Sequence, residues 1–236
     1  MRKIYRQCFV PMMGVFLLFA APAVSHASTY NLTSDFSTAV NPNGAWSYGY
    51  ETSLNGSFAL YDTILNWAGG ASWYSSTHHS SDTTPSIWIA TASQNGVAAG
   101  ETAFHPGYDG SFSVVRWTAP MSGQFHVTGT FGAGDSGAMS YYTAFNGSSV
   151  DQQANDPNSY NFDFTENVGA GSTIDFIVGV NTGSGYAYGS TPISASIASV
   201  GTTPLPSSWT MMLAGLAGFG FVAYPRRKRR GLFAAI

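Results

Sequence analysis

Aromatic residues in the first third of the chain are the side chains best suited to bind a ligand. The candidate binding residues are Trp46, Tyr48, Trp67, Trp73 and Tyr74, with Tyr50 beside them. Indole and phenol rings contribute a large apolar area and a polar atom, and sugar rings stack their axial C–H faces on such rings. Exposed together, with aspartate or asparagine nearby for the hydroxyl groups, these rings would form a carbohydrate-binding face.

Burial in the core is the alternative for the same rings, and it is the more common outcome for any single one. Most of them are therefore expected to fill the core. Trp73 and Tyr74 lie in a segment rich in glycine, serine and threonine, so we expect these two to be the most exposed.

A metal site is the second chemistry that the sequence suggests. His78, His79 and Asp82, together with His105, could collect a divalent ion. The His-His-x-x-Asp spacing does not place its ligands on one face of a helix, however, and no cysteine contributes. We therefore expect solvated histidines in a loop, no metal site and no cofactor.

Catalysis is the third chemistry for which we searched the sequence. A glycosidase needs two carboxylates at a defined separation in a cleft, and Glu51, Glu101 and Glu166 lie in no recognisable motif. Asp163 and Asp175 occupy alternating strand positions, so both are expected to point outward into solvent. The chain has no Gly-x-Ser-x-Gly elbow and no glycine-rich phosphate loop before a helix. We predict no catalytic residues and no enzymatic activity.

Charge is distributed unevenly along the chain. Of 9 basic residues, three lie in the first 27 positions and five at 226–230, while all 12 acidic residues lie between Asp35 and Asp175. The middle of the chain therefore carries a net charge of −11, with Arg116 as its one cation. Such a surface repels nucleic acid and anionic lipid. We predict that Arg116 forms a structural ion pair with one of these carboxylates or stacks against the neighbours of Trp117 across the sheet.

Strand patterns dominate from residue 110 onward. Apolar and polar residues alternate or β-branched residues cluster in seven segments, with turn residues between them: 112–118, 125–131, 141–145, 148–152, 160–165, 173–180 and 193–200. Asn146-Gly147 is a strong hairpin signal. Residues 46–50 and 86–92 also have strand character, and residues 67–84 are interpreted as a long loop.

Many short strands separated by turns are typical of a sandwich or jelly roll. The predicted fold class is therefore all-β: an antiparallel β-sandwich or jelly-roll-like single domain over residues 28–202. The only cysteine, Cys8, precedes this domain, so no disulfide is expected within it.

The N-terminus has the pattern of a secretory signal peptide over residues 1–27. A charged start is followed by an apolar stretch at 9–24 and a small-residue site, which predicts cleavage by signal peptidase between Ala27 and Ser28.

The C-terminus, residues 203–236, predicts a membrane segment. Residues 209–224 carry no charge, and the basic cluster 226–230 follows. Sixteen helical residues span about 24 Å, somewhat less than a ~30 Å hydrocarbon core, and snorkelling basic residues can extend the span. Because basic residues stay cytoplasmic, the preceding domain is expected outside the inner membrane.

The same tail resembles the PEP-CTERM sorting signal of Gram-negative bacteria. The residues that carry the resemblance are Pro204, Leu205, Pro206, Trp209, Arg226, Arg227, Lys228, Arg229 and Arg230. The resemblance implies recognition by an exosortase-type membrane enzyme, removal of the tail, and release to the cell surface or extracellular matrix. Leu205 replaces the glutamate of the family triad, which leaves the sortase variant open.

Together these features predict an exported surface or matrix protein with a non-catalytic carbohydrate-binding-like sandwich, acting in exopolysaccharide or biofilm material. Two alternatives remain from the sequence: a secreted polysaccharide hydrolase, and a purely structural protein that associates with copies of itself.

Overall fold

The computed structural model describes residues 28–156, 158–180 and 185–201, together with Met212 and Leu216. One compact unit spans residues 26–201. The other unit is described only at Met212 and Leu216, which are helical. The predicted signal peptide, the sorting triad and the basic cluster lie outside the described residues, as does nearly all of the predicted membrane helix. The domain division and these segments stay predictions. No helix among the described residues is long and apolar enough to cross a membrane.

The described part of the body is built from strands. They are β1 (Thr29–Asn31), β2 (Trp46–Glu51), β3 (Ala59–Leu60), β4 (Thr63–Trp67), β5 (Gly70–Tyr74), β6 (Ser86–Ala90), β7 (Thr102–His105), β8 (Phe112–Thr118), β9 (Gly123–Phe131), β10 (Met139–Phe145), β11 (Ser148–Asp156), β12 (Tyr160–Val168), β13 (Thr173–Val180) and β14 (Thr191–Ser199).

These strands form two antiparallel sheets. The first sheet has the order β12-β9-β14-β7-β6-β5-β4, with β1 also paired to β14. The second has the order β11-β10-β13-β8-β2-β3. The predicted all-β antiparallel sandwich is therefore confirmed.

The seven strands predicted after residue 110 correspond to β8–β14. The hairpin between β10 and β11 turns at Asn146 and Gly147, whose φ angles are 49° and 74°. Two positive φ angles are the requirement of the tightest hairpin turn, which asparagine and glycine tolerate best. Periodicity and turn chemistry agree here, which is why the strands of this half of the chain can be predicted from the sequence.

The interpretation of residues 67–84 as a long loop is wrong, because β5 lies inside this segment. Its five residues pair with β4 on one side and with β6 on the other. Ladder hydrogen bonds from two neighbours hold it extended, whereas the glycine and serine residues around it give little intrinsic strand preference. Tertiary pairing decided the structure of this segment.

Aromatic rings from both sheets interlock in the core. Phe131 of the first sheet stacks on Tyr141 of the second, with ring centroids 5.2 Å apart. Phe125 meets the edge of Trp117 at 5.0 Å. Stacked and edge-on pairs of this kind add to the burial of apolar area, so the two sheets are joined by a continuous aromatic layer.

The outer face of the second sheet is closed by an ion pair and a covering segment. Arg116 on β8 binds Asp175 on β13 through two hydrogen bonds of 2.7 and 2.8 Å. Its guanidinium lies 4.1 Å from the centre of the Phe58 ring. The predicted ion pair of Arg116 is confirmed. The prediction that Asp175 is solvated is wrong, because Phe58 and Leu54 cover this face and leave Asp175 buried. Asp163 does lie in solvent, where it pairs with His126.

A second carboxylate shares this buried cation. Glu51 Oε1 lies 3.7 Å from Arg116 Nη2, and the Glu51 side chain is buried. Burial and the nearby Asp175 charge raise the pKa of Glu51. One guanidinium thus serves two buried carboxylates, and removing it would leave both without a counter-charge.

We predict that Arg116→Ala lowers the free energy of unfolding by about 3 kcal/mol, since it leaves buried carboxylates uncompensated. Urea denaturation of the purified protein measures this difference. The matched control is His126→Ala, which removes the exposed pair with Asp163 and should change stability by about 0.5 kcal/mol or less. Equal losses in the two variants would contradict the structural role of Arg116.

Candidate functional site

Strand alternation divides the residues of β5, β6 and β7 between two faces. Trp73, Ile87 and Phe104 belong to the core between the sheets. Since successive side chains point to opposite faces, Ser72, Trp88 and His105 lie on the outer face of the first sheet. Their register brings them into rows, with Ser72 opposite Trp88 and Ser86 opposite His105.

Two tryptophans form the apolar floor of this outer face. Trp67, the last residue of β4, meets Trp88 edge to face, with ring centroids 6.0 Å apart and planes at 72°. Trp88 is 5% exposed and Trp67 is 37% exposed. A Cβ added at Gly69 would overlap the Trp67 ring and the Gln94 amide. Glycine at position 69 therefore allows the indole of Trp67 to fold back over its own turn.

Loops that are distant in sequence form the remaining walls of the site. The Asn95-Gly96 turn has positive φ angles of 51° and 73°, and it approaches the backbone of Gly134. Tyr188, which is 65% exposed, extends from the loop before β14. The result is a cleft of about 460 Å³, lined by Leu65, Trp67, Ser72, Asp82, Thr83, Thr84, Ser86, Trp88, Asn95, His105, Asp135, Tyr188 and Ser190. Clefts of this size accommodate small ligands.

Two carboxylates, Asp82 and Asp135, line the cleft. Asp82 accepts hydrogen bonds from the hydroxyls of Ser80 and Thr84. It also bonds the Tyr186 hydroxyl, which raises the pKa of that tyrosine. Asp135 Oδ1 accepts a 2.7 Å bond from the Ser136 amide. Its own amide donates to the Ser190 carbonyl at 3.0 Å. Both carboxylates are thus held in place by short-range hydrogen bonds.

His105 is held neutral in the cleft. The Gly189 amide donates to Nε2 at 3.3 Å, and Nδ1 lies 2.8 Å from the Pro106 carbonyl. An acceptor at Nε2 and a carbonyl at Nδ1 require the proton to be on Nδ1. Burial lowers the pKa of His105, which further favours the neutral ring. Both nitrogen atoms are engaged, so this side chain has no free site for a metal ion.

The five predicted binding aromatics fall into two groups. Trp46, Tyr48 and Trp73 are buried in the core. The prediction that Trp73 is among the most exposed rings is therefore wrong: it is 7% exposed, and its indole donates to the Ser37 carbonyl at 2.7 Å. Tyr74 is half-buried on the outer face. Trp67 is the member of the set that lines the cleft.

The histidines considered as metal ligands have different partners, although His78 and His79 line one small pocket. His78 stacks on Tyr50 with ring centroids 4.5 Å apart, and its Nε2 is 3.2 Å from Asp109. The expectation of a solvated His78 is therefore wrong, because the ring is largely covered. His79 is exposed and meets Tyr74 edge-on. The described residues contain no group of three or more metal-ligating side chains.

Sequence reasoning missed Trp88, Asp135 and Tyr188 as site residues. The position of Trp88 on the outer face could have been predicted, because it lies between Ile87 and Ile89 in a predicted strand and must face away from them. The sequence contains no comparable pattern for Asp135 and Tyr188. They lie in loops whose position against the first sheet follows from the pairing of strands far apart in the chain.

Comparisons with known proteins show only a distant structural similarity to solved structures. No protein-family model and no curated protein matches this chain. Among solved structures it is similar to CBM51 from Clostridium perfringens GH95 in complex with methyl-galactose, at 9% identity and a TM-score of 0.32, covering 73% of this chain and 100% of that one. It is also similar to CBM35 from Cellvibrio japonicus Abf62, at 14% identity and a TM-score of 0.32, covering 75% and 95%.

An enzyme gives a comparable match. An exo-beta-1,3-galactanase from Phanerochaete chrysosporium shares 13% identity at a TM-score of 0.30, over 74% of this chain and 29% of the enzyme. The chain thus has distant structural similarity to carbohydrate-binding modules among other proteins. TM-scores this low support no inference about its activity, and its fold follows from its own strand pairing.

We predict that His105 titrates with a midpoint below its ordinary value of 6.5 and remains the Nδ1-protonated tautomer above that midpoint. Its folded-state pKa is lowered, so its contribution to stability is present above pH ~6.5 and is lost as pH falls below it. Long-range ¹H–¹⁵N spectra of the histidine rings measure both the midpoint and the tautomer. A midpoint at or above 6.5, or an Nε2-protonated ring, would contradict this account.

Proposed function

We propose that this protein is a non-catalytic carbohydrate-binding protein and that the cleft on the first sheet is its binding site. The observation that carries the proposal is the exposed Trp67 indole, held edge-on to Trp88 at the floor of a cleft rimmed by carboxylates and hydroxyls. An apolar floor with a few fixed polar groups is the usual construction of a small-molecule site. A sugar ring has the matching chemistry, with a C–H face for the indole and hydroxyl groups for Asp82, Asp135 and Asn95.

We predict that Trp67→Ala weakens saccharide binding at least about tenfold, which corresponds to about 1.4 kcal/mol, because it removes the stacking surface. Calorimetric titration against a panel of neutral and amino oligosaccharides measures the change. Met121→Ala is the control: Met121 is 51% exposed, lies between β8 and β9, and does not line the cleft. Melting temperatures of both variants check that the fold is retained. Failure of every saccharide to bind, or unchanged binding by Trp67→Ala, would contradict the proposal.

A polysaccharide hydrolase is a second candidate, and one observation favours it. Asp82 and Asp135 line the same cleft, and two carboxylates in a cleft are the machinery of most glycosidases. The two residues have a structural use without catalysis, however, since each anchors a wall loop through hydrogen bonds. Release of reducing ends during prolonged incubation with the bound oligosaccharide would decide for the hydrolase, and loss of that release in Asp135→Asn would assign it to the cleft.

We propose further that the protein is exported and sorted to the cell surface or extracellular matrix. The signal-like residues 1–27 and the tail resembling a PEP-CTERM signal support this, with signal peptidase and an exosortase-type enzyme as processing partners. The intact mass of the protein from its own host, measured after fractionation, is expected to show a chain that starts at Ser28, ends near Pro204 and lies outside the inner membrane. A full-length tail retained in the inner membrane would contradict sorting.

A further inference from the structure

The cleft contains negative charge and no positive charge. Among the residues that line it, Asp82 and Asp135 are acidic, and the only basic side chain is His105. That ring is neutral because its Nε2 accepts a hydrogen bond from Gly189 while its Nδ1 faces the Pro106 carbonyl. A ligand in this cleft therefore meets two carboxylates without a compensating cation from the protein.

The rest of the body strengthens this charge. Arg116 is the only lysine or arginine between residues 28 and 201. It belongs to the second sheet, where it is bound to Asp175 and close to Glu51. A third acidic residue, Asp109, lines the small pocket adjoining the cleft, and Thr84 lines both cavities. The summed field at the cleft is thus negative and attracts cations.

The carboxylates retain capacity for a ligand. A carboxylate offers about four lone-pair sites. Asp135 uses one of them for the Ser136 amide, and Asp82 uses three for the hydroxyls of Ser80, Thr84 and Tyr186. Trp67, which is 37% exposed and lines the cleft, adds an aromatic ring near which a cation is favourable. A ring for stacking beside carboxylates is a combination that suits a sugar carrying a protonated amine.

We propose that the cleft is selective for a saccharide with free amino groups, such as an oligomer of glucosamine, over the N-acetylated form of the same oligomer. The proposal rests on the carbohydrate-binding function proposed above. The ammonium group is bound by Asp135 and Asp82 while the sugar ring stacks on Trp67. Acidic saccharides are excluded by the same field, because like charges in a cleft without a cation repel.

The test compares a glucosamine hexamer with an N-acetylglucosamine hexamer by calorimetric titration of the purified protein, at low salt and at pH 6. The amino oligomer is expected to bind at least about tenfold more tightly. At 1 M salt the Debye length shrinks to about 3 Å, and the preference should shrink with it. Asp135→Asn should reduce the ratio of the two affinities to near one.

The matched control is Asp163→Asn. It also removes one carboxylate charge, but Asp163 lies on β12, its side chain is 74% exposed and it does not line the cleft. This variant should retain the full ratio of affinities. Melting temperatures of both variants confirm that neither substitution unfolds the protein.

The outcomes separate the two proposals. Equal or tighter binding of the N-acetylated oligomer, with Trp67→Ala still weakening that binding, would overturn the amine selectivity and leave carbohydrate binding standing. A loss of preference in Asp163→Asn as large as in Asp135→Asn would also overturn it, since the cause would be overall charge. If no saccharide of either kind binds, both proposals fail.

Discussion

The two-residue period of β5, β6 and β7 is the constraint on which the site depends. Trp73, Ile87 and Phe104 are drawn into the core by the burial of their apolar surface. Their neighbours in sequence must then occupy the opposite face. The cleft floor is thus a consequence of core packing, because Trp88 and His105 cannot leave the outer face without removing a core residue from the interior.

The outer faces of the two sheets differ in how they are covered. Phe58 and Leu54 pack over the second sheet, where Arg116 neutralises buried carboxylates. The first sheet is covered only in part, by the Asn95 turn and the loops that carry Asp135 and Tyr188. One face is sealed by a structural ion pair, and the other remains open around an exposed tryptophan. This asymmetry places the ligand-binding chemistry on the first sheet.

The fold was largely predictable from sequence, whereas the site was predictable only in part. Alternation and turn residues identified β8–β14, because these strands carry their own periodic signal. Alternation and turn residues did not identify β5, because this short strand is held extended by pairing on both sides. The exposure of Trp73 was misjudged for the same reason, since a loop would have left it in solvent. Asp175 faces outward as alternation requires, but the covering Phe58 could not be foreseen.

Trp67 and Asp82 were found among the sequence candidates, while Asp135 and Tyr188 were not. The difference lies in sequence separation. Trp67 lies at the end of β4, close in the chain to β5 and β6. Asp135 and Tyr188 reach the cleft through loops that precede β10 and β14. Their convergence depends on the register of distant strands, which composition and spacing do not encode.

The most direct test of the central claim is to follow the indole N–H signals of the protein by NMR while an oligosaccharide is added. The account predicts that the signals of Trp67 and Trp88 shift in a saturable way, while those of the core residues Trp46, Trp73 and Trp117 stay in place. Shifts confined to other parts of the surface, with Trp67 and Trp88 unaffected, would contradict the assignment of the first-sheet cleft as the binding site.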